Sequence, residues 1–483
     1  MIALLAAIAV LLIGVVGLKK DPHIPILMST LVLLLYAVWL GIPWRDLRDR
    51  ILKSVSESIE AILIICMIGM TIGSWIASGI VPMVIYYGLQ IFSPQWFLVS
   101  VLVLCSIMSM MTGSSWTTIG TIGVAFMGVG YGLGIPVGIT AGAVISGAFF
   151  GDKQSPMSDS TNFAAAVART DLYKHVKSMT FTNLPAWLIA LIVFLLLGLQ
   201  YRNGQADASH VQMITAGLAQ EFHFHIFLLL PLIITVTLIV KKFPALPTMM
   251  ISAISGGVFA VLFQGERVAD VIGYMQSGYV ANSGIEAVDK LLSRGGLSSM
   301  TGTITLMMLS LMLAGVMEQT GIMTTLMEKA ACFTRHAFGL ITTTLVSTIG
   351  LSYFAADPYL AMLLPANALG SEYDRQGIDR SVLSRTMEDG GTTICPIVPW
   401  GTNGIYCAAT LGVPVLQFMP YYVLGLATPV IAVICAATGI GVIHAKGKEK
   451  TKEKAALRAA EVKVKTEGSA ENEKYAVSGA KSI

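Results

Sequence analysis

Long apolar runs separated by short polar segments fill most of this chain of 483 residues. A helix needs ~20 mainly apolar residues to cross a bilayer. The candidate runs are Ile2–Leu18, Ile24–Gly41, Ala61–Ile80, Phe97–Met111, Ile119–Leu133, Val137–Phe150, Met179–Leu199, Phe224–Val240, Thr248–Phe263, Thr301–Met317, Phe338–Phe354 and Tyr421–Ile443. Several are short, so the pattern predicts an all-α, polytopic membrane protein with about 10 to 13 membrane helices, some broken or re-entrant.

Four polar segments interrupt the apolar body. They are Gly113–Thr118, Gly151–Asn162, Ala355–Tyr359 and Glu388–Asn403. Because lipid offers no hydrogen bonds, irregular backbone persists at membrane depth only where protein or a water-filled cavity satisfies it. The four segments therefore predict broken helices arranged around a common cavity.

The two halves of the chain match one another at a separation of 240 to 242 residues. Gly79 and Gly321 lie 242 residues apart, as do Ser115 and Asp357. Seven membrane elements separate the starts of the two copies. If all of them cross the membrane, their odd number predicts inverted repeats, the usual architecture of secondary transporters, whereas a re-entrant element leaves the relation open. The predicted organisation is N-terminal spans at 1–55, transport repeat 1 at 56–225, transport repeat 2 at 226–445 and a basic tail at 446–483.

The composition excludes several classes of protein. Hydrophobic residues make up 55% and charged residues 12%, about half the charged share of a soluble domain. This excludes a disordered chain and a nucleic-acid binder with a basic surface. The net charge of +3 belongs to the tail, which holds 10 of the 31 Lys and Arg but 6 of the 28 Asp and Glu. We expect that tail to be disordered or a frayed helix.

Enzymatic signatures are absent from the sequence. It has no H-E-x-x-H, no Walker A loop and no G-x-S-x-G, and its six cysteines form no C-x-x-C pair. We therefore expect neither an enzyme nor a bound cofactor. The basic loops Trp44–Glu57 and Arg169–Lys177 predict that both termini face the cytoplasm.

The polar segments supply hard oxygen ligands and half-helix ends, which suit Na+ and a substrate carboxylate. An ionised carboxylate within a span is costly and is usually functional. The candidate ion- or substrate-binding residues are Ser114, Ser115, Thr117, Asp152, Ser155, Ser158, Asp159, Thr161, Asn162, Asp357, Glu388, Asp389, Thr392, Trp400, Thr402 and Asn403. Among them, Asp159, Asn162, Asp357 and Asn403 are the predicted Na+ ligands.

Some of these residues also have structural interpretations. Asp152 beside Lys153, and Glu388 near Arg385, form ion pairs in that alternative. Asp357 before a proline is then a helix cap. The histidines, including His175, are expected in loops or at the ends of spans. Trp116 and Trp400 are expected to wall the cavity.

The polar segments together resemble the NhaC-type sodium/proton antiporter family of the ion-transporter superfamily. The resemblance extends from about Ile24 to Ile443. The matching motifs are Gly113–Trp116, Gly147–Lys153, Ser155–Pro156, Ser158–Asn162, Ala356–Asp357, Tyr359–Ala361, Leu383–Asp389 and Pro399–Trp400. The resemblance implies a bacterial inner-membrane secondary carrier that exchanges Na+ for H+ by alternating access.

Two further functions remain open. One is a Na+-coupled carrier or exchanger of an organic anion, of the malate/lactate type, or of an amino acid. Pro358 and Gly401 favour it, because the family commonly has Gln and Asn there, so two ligands are missing. The other is a passive channel, which carboxylates within inverted halves disfavour. The expected partners are Na+, H+ and lipid, with a homodimer left open.

Overall fold

A computed structural model describes residues 2–18, 20–201, 208–241, 243–330 and 334–444. Within these ranges the chain is helical, and its β structure is one isolated bridge between Ile378 and His444. The predicted all-α class is thus confirmed. The tail at 446–483 and Cys332 lie outside the described residues.

The first half of the described chain contains thirteen α-helices. They are α1 (Ile2–Leu12), α2 (His23–Trp39), α3 (Trp44–Glu57), α4 (Ile59–Ala77), α5 (Ile80–Ile91), α6 (Pro94–Thr112), α7 (Ser115–Thr118), α8 (Val124–Gly132), α9 (Val137–Gln154), α10 (Asp159–Ala168), α11 (Leu172–Gln200), α12 (Ala208–Glu221) and α13 (Leu230–Val240). A π-helical turn, Ile119–Gly123, joins α7 to α8, and another, Ile13–Gly17, follows α1.

The second half of the described chain contains eleven α-helices. They are α14 (Ala245–Gln264), α15 (Val268–Ser277), α16 (Glu286–Leu292), α17 (Thr301–Gln319), α18 (Ile322–Ala330), α19 (Ala337–Ala355), α20 (Pro358–Gln376), α21 (Arg380–Gly390), α22 (Thr402–Leu411), α23 (Val415–Phe418) and α24 (Val423–Thr438). Short 3-10 turns at Leu297–Met300, Cys395–Ile397 and Met419–Tyr421 lie between them, and another, Ile226–Leu229, precedes α13.

Six helices of the described chain are long and apolar enough to cross a membrane, or eight if each of two bent pairs forms one span. The six are Ile59–Ala77, Pro94–Thr112, Leu172–Gln200, Ala245–Gln264, Leu297–Gln319 and Ala337–Ala355. The chain is therefore a multi-pass membrane protein. The predicted 10 to 13 elements include shorter apolar helices such as α1 and α2, which fall below the length of the six.

Helix boundaries recur along the chain at nearly the predicted separation. α17 begins 242 residues after α4, α19 begins 243 after α6, and α22 begins 243 after α10. The sequence of long helix, interruption and shorter helix is therefore the same in both halves. The inverted relation between the halves stays a prediction.

Left-handed backbone recurs at the same separation. Among the described residues, two that are not glycine have positive φ, Ala356 and Arg169, each at 56°. Gly113, with φ 69°, lies 243 residues before Ala356, and Gly412, with φ 71°, lies 243 residues after Arg169. Each strained residue thus stands where the other half has a glycine, which adopts this conformation without steric cost.

We expect Arg169→Gly to stabilise the protein. Arg169 is exposed and ends α10 in a left-handed conformation, which costs a side-chain-bearing residue ~1–2 kcal/mol. Part of that gain is offset by the entropy of glycine, leaving about 0.5–1 kcal/mol. Gly412→Ala is the matched control, because a Cβ there meets no atom within 4 Å, so only the backbone is strained. A melting temperature lowered by Arg169→Gly, or raised by Gly412→Ala, contradicts this account.

Candidate functional site

A cavity of about 540 Å³ receives residues from all four polar interruptions. Nine of the sixteen candidate residues line it. They are Ser114, Ser115, Thr117, Asp152, Asp159, Asp357, Thr392, Thr402 and Asn403. We call this space the central cavity. It brings together candidate residues that are up to 289 positions apart in the sequence, from Ser114 to Asn403.

The first two interruptions meet at Gly113. This residue ends α6 in a left-handed conformation, and a Cβ on it would lie 2.7 Å from the backbone carbon of Met157, in the break between α9 and α10. Glycine therefore permits the two breaks to touch. The next helix begins at once, because the Ser114 hydroxyl accepts a hydrogen bond from the Thr117 N–H at 3.2 Å.

The other two interruptions meet at Ala356. Its carbonyl accepts a hydrogen bond from the N–H of Thr402, the first residue of α22, at 2.9 Å. Asp357 caps α20, since its Oδ1 accepts from the N–H groups of Tyr359 at 2.8 Å and Leu360 at 2.9 Å. Asp357 is thus a helix cap and also lines the central cavity.

Asp152 is a buried carboxylate with one free oxygen. Its Oδ2 accepts from the Ser115 hydroxyl at 2.7 Å, whereas its buried Oδ1 has no hydrogen-bond partner among the described residues. The side chain is 5% exposed and lines the central cavity. A buried acceptor without a partner is costly. A cation or a proton at Oδ1 would supply the missing partner.

The expected ion pair between Asp152 and Lys153 is absent from the described ion pairs. The Lys153 ammonium, fully buried at the end of α9, donates to the Thr392 hydroxyl at 2.5 Å. It also lies 5.4 Å from the centre of the Phe149 ring. Adjacent helical residues point in different directions, so Lys153 reaches the second half of the chain while Asp152 faces the cavity.

Asp159 joins the two halves at the cavity wall. Its Oδ2 accepts from the Tyr359 hydroxyl at 2.7 Å, and its Oδ1 accepts from the Ser160 N–H at 2.9 Å. Unlike Asp152, Asp159 is exposed. Its carboxylate therefore loses less solvation than the buried carboxylate of Asp152 does.

Trp116 walls the central cavity, as predicted, and Trp400 is not among its lining residues. The Trp116 indole N–H donates to Asn403 Oδ1 at 2.8 Å. Its ring stacks on Tyr406, with centroids 4.0 Å apart and planes 12° apart. The Trp400 N–H instead donates to the Tyr353 carbonyl at 2.6 Å, so the expectation that Trp400 walls the cavity is wrong.

A buried polar cluster lies behind the cavity and contains Glu388. His175 Nε2 is 2.7 Å from one oxygen of Glu388, and the Ser160 hydroxyl donates to the other at 3.0 Å. Both members of the His175–Glu388 pair are fully buried. The expectation of a loop position for His175 is wrong, because α11 begins at Leu172 and includes it. Arg385 donates instead to the Gly441 carbonyl at 2.9 Å.

The remaining candidates lie outside the lining of the central cavity. Ser158 caps α10, and Ser155 accepts from the Met157 N–H at 3.2 Å. The Asp389 carboxylate is buried and accepts from the Thr182 hydroxyl at 3.1 Å. Thr161 approaches Glu388 at 3.4 Å.

Of the four predicted Na+ ligands, Asn162 is the one that does not line the central cavity. Its amide donates to the carbonyls of Pro156 at 3.0 Å and Ser158 at 2.6 Å, and its side chain is exposed. Asp159, Asp357 and Asn403 line the central cavity. The described residues contain no group of three His, Cys, Asp or Glu side chains suited to a metal. A Na+ ion in this cavity would therefore be held by a mixture of carboxylate, hydroxyl and amide oxygens.

The family model and the relatives that this chain resembles are all described as antiporters. Residues 147–440 match the model of the Na+/H+ antiporter family. The chain is 36% identical over 444 residues to the Na(+)/H(+) antiporter NhaC of Alkalihalophilus pseudofirmus, covering 92% of this chain and 95% of the relative. It is 35% identical over 447 residues to the malate-2H(+)/Na(+)-lactate antiporter of Bacillus subtilis, covering 92% and 96%. It is also 35% identical over 458 residues to the arginine/ornithine antiporter ArcD of Halobacterium salinarum, covering 94% of each.

Proposed function

Because the chain belongs to the Na+/H+ antiporter family, we propose that it exchanges Na+ for H+ across the membrane by alternating access. The observation that carries the proposal is the Asp152 carboxylate, which belongs to a residue that lines the central cavity and has one buried oxygen without a hydrogen-bond partner among the described residues. An ionised carboxylate attracts Na+, and a protonated one does not. Because one carboxylate holds either Na+ or H+, and never both, the movement of one ion is coupled to the movement of the other.

The residues around Asp152 favour a small hard cation. Ser115 bonds its Oδ2, and the side chains of Asp357 and Thr402 line the same cavity. Both described hydrogen bonds to Asp357 fall on Oδ1, which leaves Oδ2 available to a ligand. Carboxylate and hydroxyl oxygens are the ligands that hard cations prefer.

Transport by purified protein in proteoliposomes tests the proposal. We expect an imposed pH gradient to drive Na+ uptake against its own concentration gradient, and a Na+ gradient to move protons in return. A passive channel moves its ion only downhill. Uptake that stops at the equilibrium distribution of Na+ would overturn exchange in favour of a channel.

Exchange that includes an organic anion is the second candidate. The similarity to the malate-2H(+)/Na(+)-lactate antiporter is as extensive as that to the antiporter NhaC. The central cavity of about 540 Å³ also exceeds the ~30 Å³ share of one water molecule many times over. Stimulation of Na+ or H+ flux by malate, lactate or an amino acid in the same proteoliposomes would favour this function.

Asn403 and Asn162 form a matched pair of variants. We expect Asn403→Ala to raise the half-saturating Na+ concentration about five- to thirtyfold, for a loss of ~1–2 kcal/mol from one neutral ligand. Asn162→Ala should leave it unchanged, because Asn162 lies outside the cavity lining and bonds two carbonyls. Na+ titration of transport rates compares the two. A larger shift in Asn162→Ala would contradict the assignment of the cavity.

We also propose an inner-membrane location with both termini in the cytoplasm. Helix α3, which follows the apolar α2, carries Arg45, Arg48, Arg50 and Lys53. Basic residues next to a span are typical of the cytoplasmic side. A reporter protein fused after His444 tests the orientation of the C-terminal end, and a periplasmic signal would contradict it.

A further inference from the structure

A second cavity, of about 420 Å³, lies beyond the central cavity along two shared helices. On α4, Ala61 lines the central cavity and Ile72 lines the second one. On α22, Asn403 and Thr410 do the same. At 1.5 Å per residue, the two positions on α4 are ~16 Å apart and those on α22 ~10 Å. We call the second cavity the Arg294 chamber, after its single basic lining residue.

Aromatic packing separates the two spaces. Tyr406, fully buried midway along α22, stacks on Trp116 and donates its hydroxyl to the Trp116 carbonyl at 2.5 Å. A Cβ on Gly120 would lie 3.0 Å from that hydroxyl and 3.6 Å from Ile68. Along α4 and α22, Ile68 and Tyr406 come between the residues that line the central cavity and those that line the Arg294 chamber. We infer that the contacts of these residues with Trp116 and Gly120 separate the two spaces.

The segment that carries Arg294 is held tightly against α4. Gly278, Gly295 and Gly296 all have positive φ, and Gly296 donates its N–H to the Gly69 carbonyl at 2.7 Å. A Cβ on Gly295 would lie 2.6 Å from the Gly73 nitrogen. Glycines thus allow backbone to pack on backbone, which fixes the position of Arg294 at the chamber wall.

The Arg294 guanidinium has no carboxylate partner among the described residues. None of the described ion pairs includes it, and its one described side-chain hydrogen bond is a long contact of 3.4 Å to the Thr410 carbonyl. Asp289, the preceding carboxylate in the sequence, accepts from both the N–H and the hydroxyl of Ser283 at 2.7 Å. A partly buried cation that lacks a counter-ion is unfavourable unless a ligand provides one.

We propose that the Arg294 chamber binds a small organic carboxylate, held by the Arg294 guanidinium. The planar guanidinium presents paired N–H donors that match the two oxygens of a carboxylate. The hydroxyl-bearing residues Ser277, Ser293 and Ser299 also line the chamber and suit additional polar groups on the ligand. The site is independent of Na+/H+ exchange, because it lies on the other side of the aromatic packing from Asp152.

Calorimetric titration of the purified full-length protein with L-malate, in Na+-free buffer at fixed pH, tests this site. We expect Arg294→Gln to weaken malate binding at least tenfold, and Arg294→Lys to restore only part of it because a single ammonium lacks the paired geometry. Arg267→Gln is the matched control, since Arg267 is exposed and already pairs with Asp270. Malamide, the uncharged analogue, should not bind.

A second variant keeps the test decisive if Arg294→Gln fails to fold. Ser277 is exposed at the chamber edge, so Ser277→Trp should fill the chamber and also abolish malate binding. The proposal is overturned if wild-type protein does not bind malate, if either variant binds it normally, or if inorganic phosphate competes equally well. Na+/H+ exchange assayed without any organic anion on the same preparation separates failure of this site from failure of the ion exchanger.

Discussion

Asp152→Asn should reduce coupled Na+/H+ exchange at least a hundredfold while the protein remains folded and inserted. The expected loss is large because Asn keeps the shape of Asp but neither binds and releases a proton nor offers a negative charge to Na+. The Ser115 hydroxyl can still donate to the amide oxygen, so the local hydrogen bond of 2.7 Å has a substitute. Rates of pH-driven Na+ uptake by purified variants measure the effect.

Asp389→Asn provides an unusually close control. Like Asp152, Asp389 is fully within the protein, accepts from one hydroxyl, here that of Thr182, and has a second oxygen without a partner among the described residues. It differs in lying outside the central cavity. We expect its exchange rate to stay within a fewfold of the wild-type rate. Equal losses in both variants would show that burial of a carboxylate, and not its access to the cavity, explains the Asp152 effect.

His175→Ala should lower the free energy of unfolding by about 2–3 kcal/mol, because it leaves one oxygen of the buried Glu388 carboxylate without its described hydrogen-bond partner. The pair joins α11 to α21 at 2.7 Å, and neither side chain is exposed. Without His175, the carboxylate of Glu388 keeps only the hydroxyls of Ser160 and Thr161 at one oxygen. Melting temperature and denaturant titration in detergent measure the loss.

A double variant distinguishes pairing from simple loss of packing. In His175→Leu with Glu388→Met, both partners of the hydrogen bond are replaced by apolar groups of similar size, so neither is left buried without the other. We expect it to recover most of the stability that His175→Ala loses. A double variant less stable than His175→Ala would mean that the pair acts through some other contact. Arg267→Ala, at an exposed pair, should change the melting temperature little.

Local chemistry predicted the helical class and the places where helices break. The glycines, prolines and polar residues of the four interruptions carry that information themselves, which is why nine candidate residues meet in one cavity. Contacts between segments that are far apart in the sequence were harder to predict from it. His175 and Glu388 are 213 positions apart, and the neighbours of His175 in sequence, Lys174 and Val176, give no hint of a buried partner.

The register of the repeat explains the error over Asn162. The sequence match paired it with Asn403 at a separation of 241, but the helix boundaries recur at 243. At that separation the counterpart of Asn403 is Ser160, which does line the central cavity. Two positions along a helix rotate a side chain by about 200°, and Asn162 is accordingly exposed. The sequence comparison, which matched side-chain types, therefore aligned the two halves of the chain two residues away from the register of their helices.

The contacts of Trp116 favour the conformation described here over one in which those contacts are broken. A movement that separates Trp116 from Tyr406 and Asn403 breaks one ring stack and two hydrogen bonds. At ~1 kcal/mol for each contact, the total is about 3 kcal/mol. If no new contact replaced them, the rearranged form would be populated at roughly one molecule in a hundred. A bound ion or substrate must therefore favour the minor form by a comparable free energy before both forms are equally occupied.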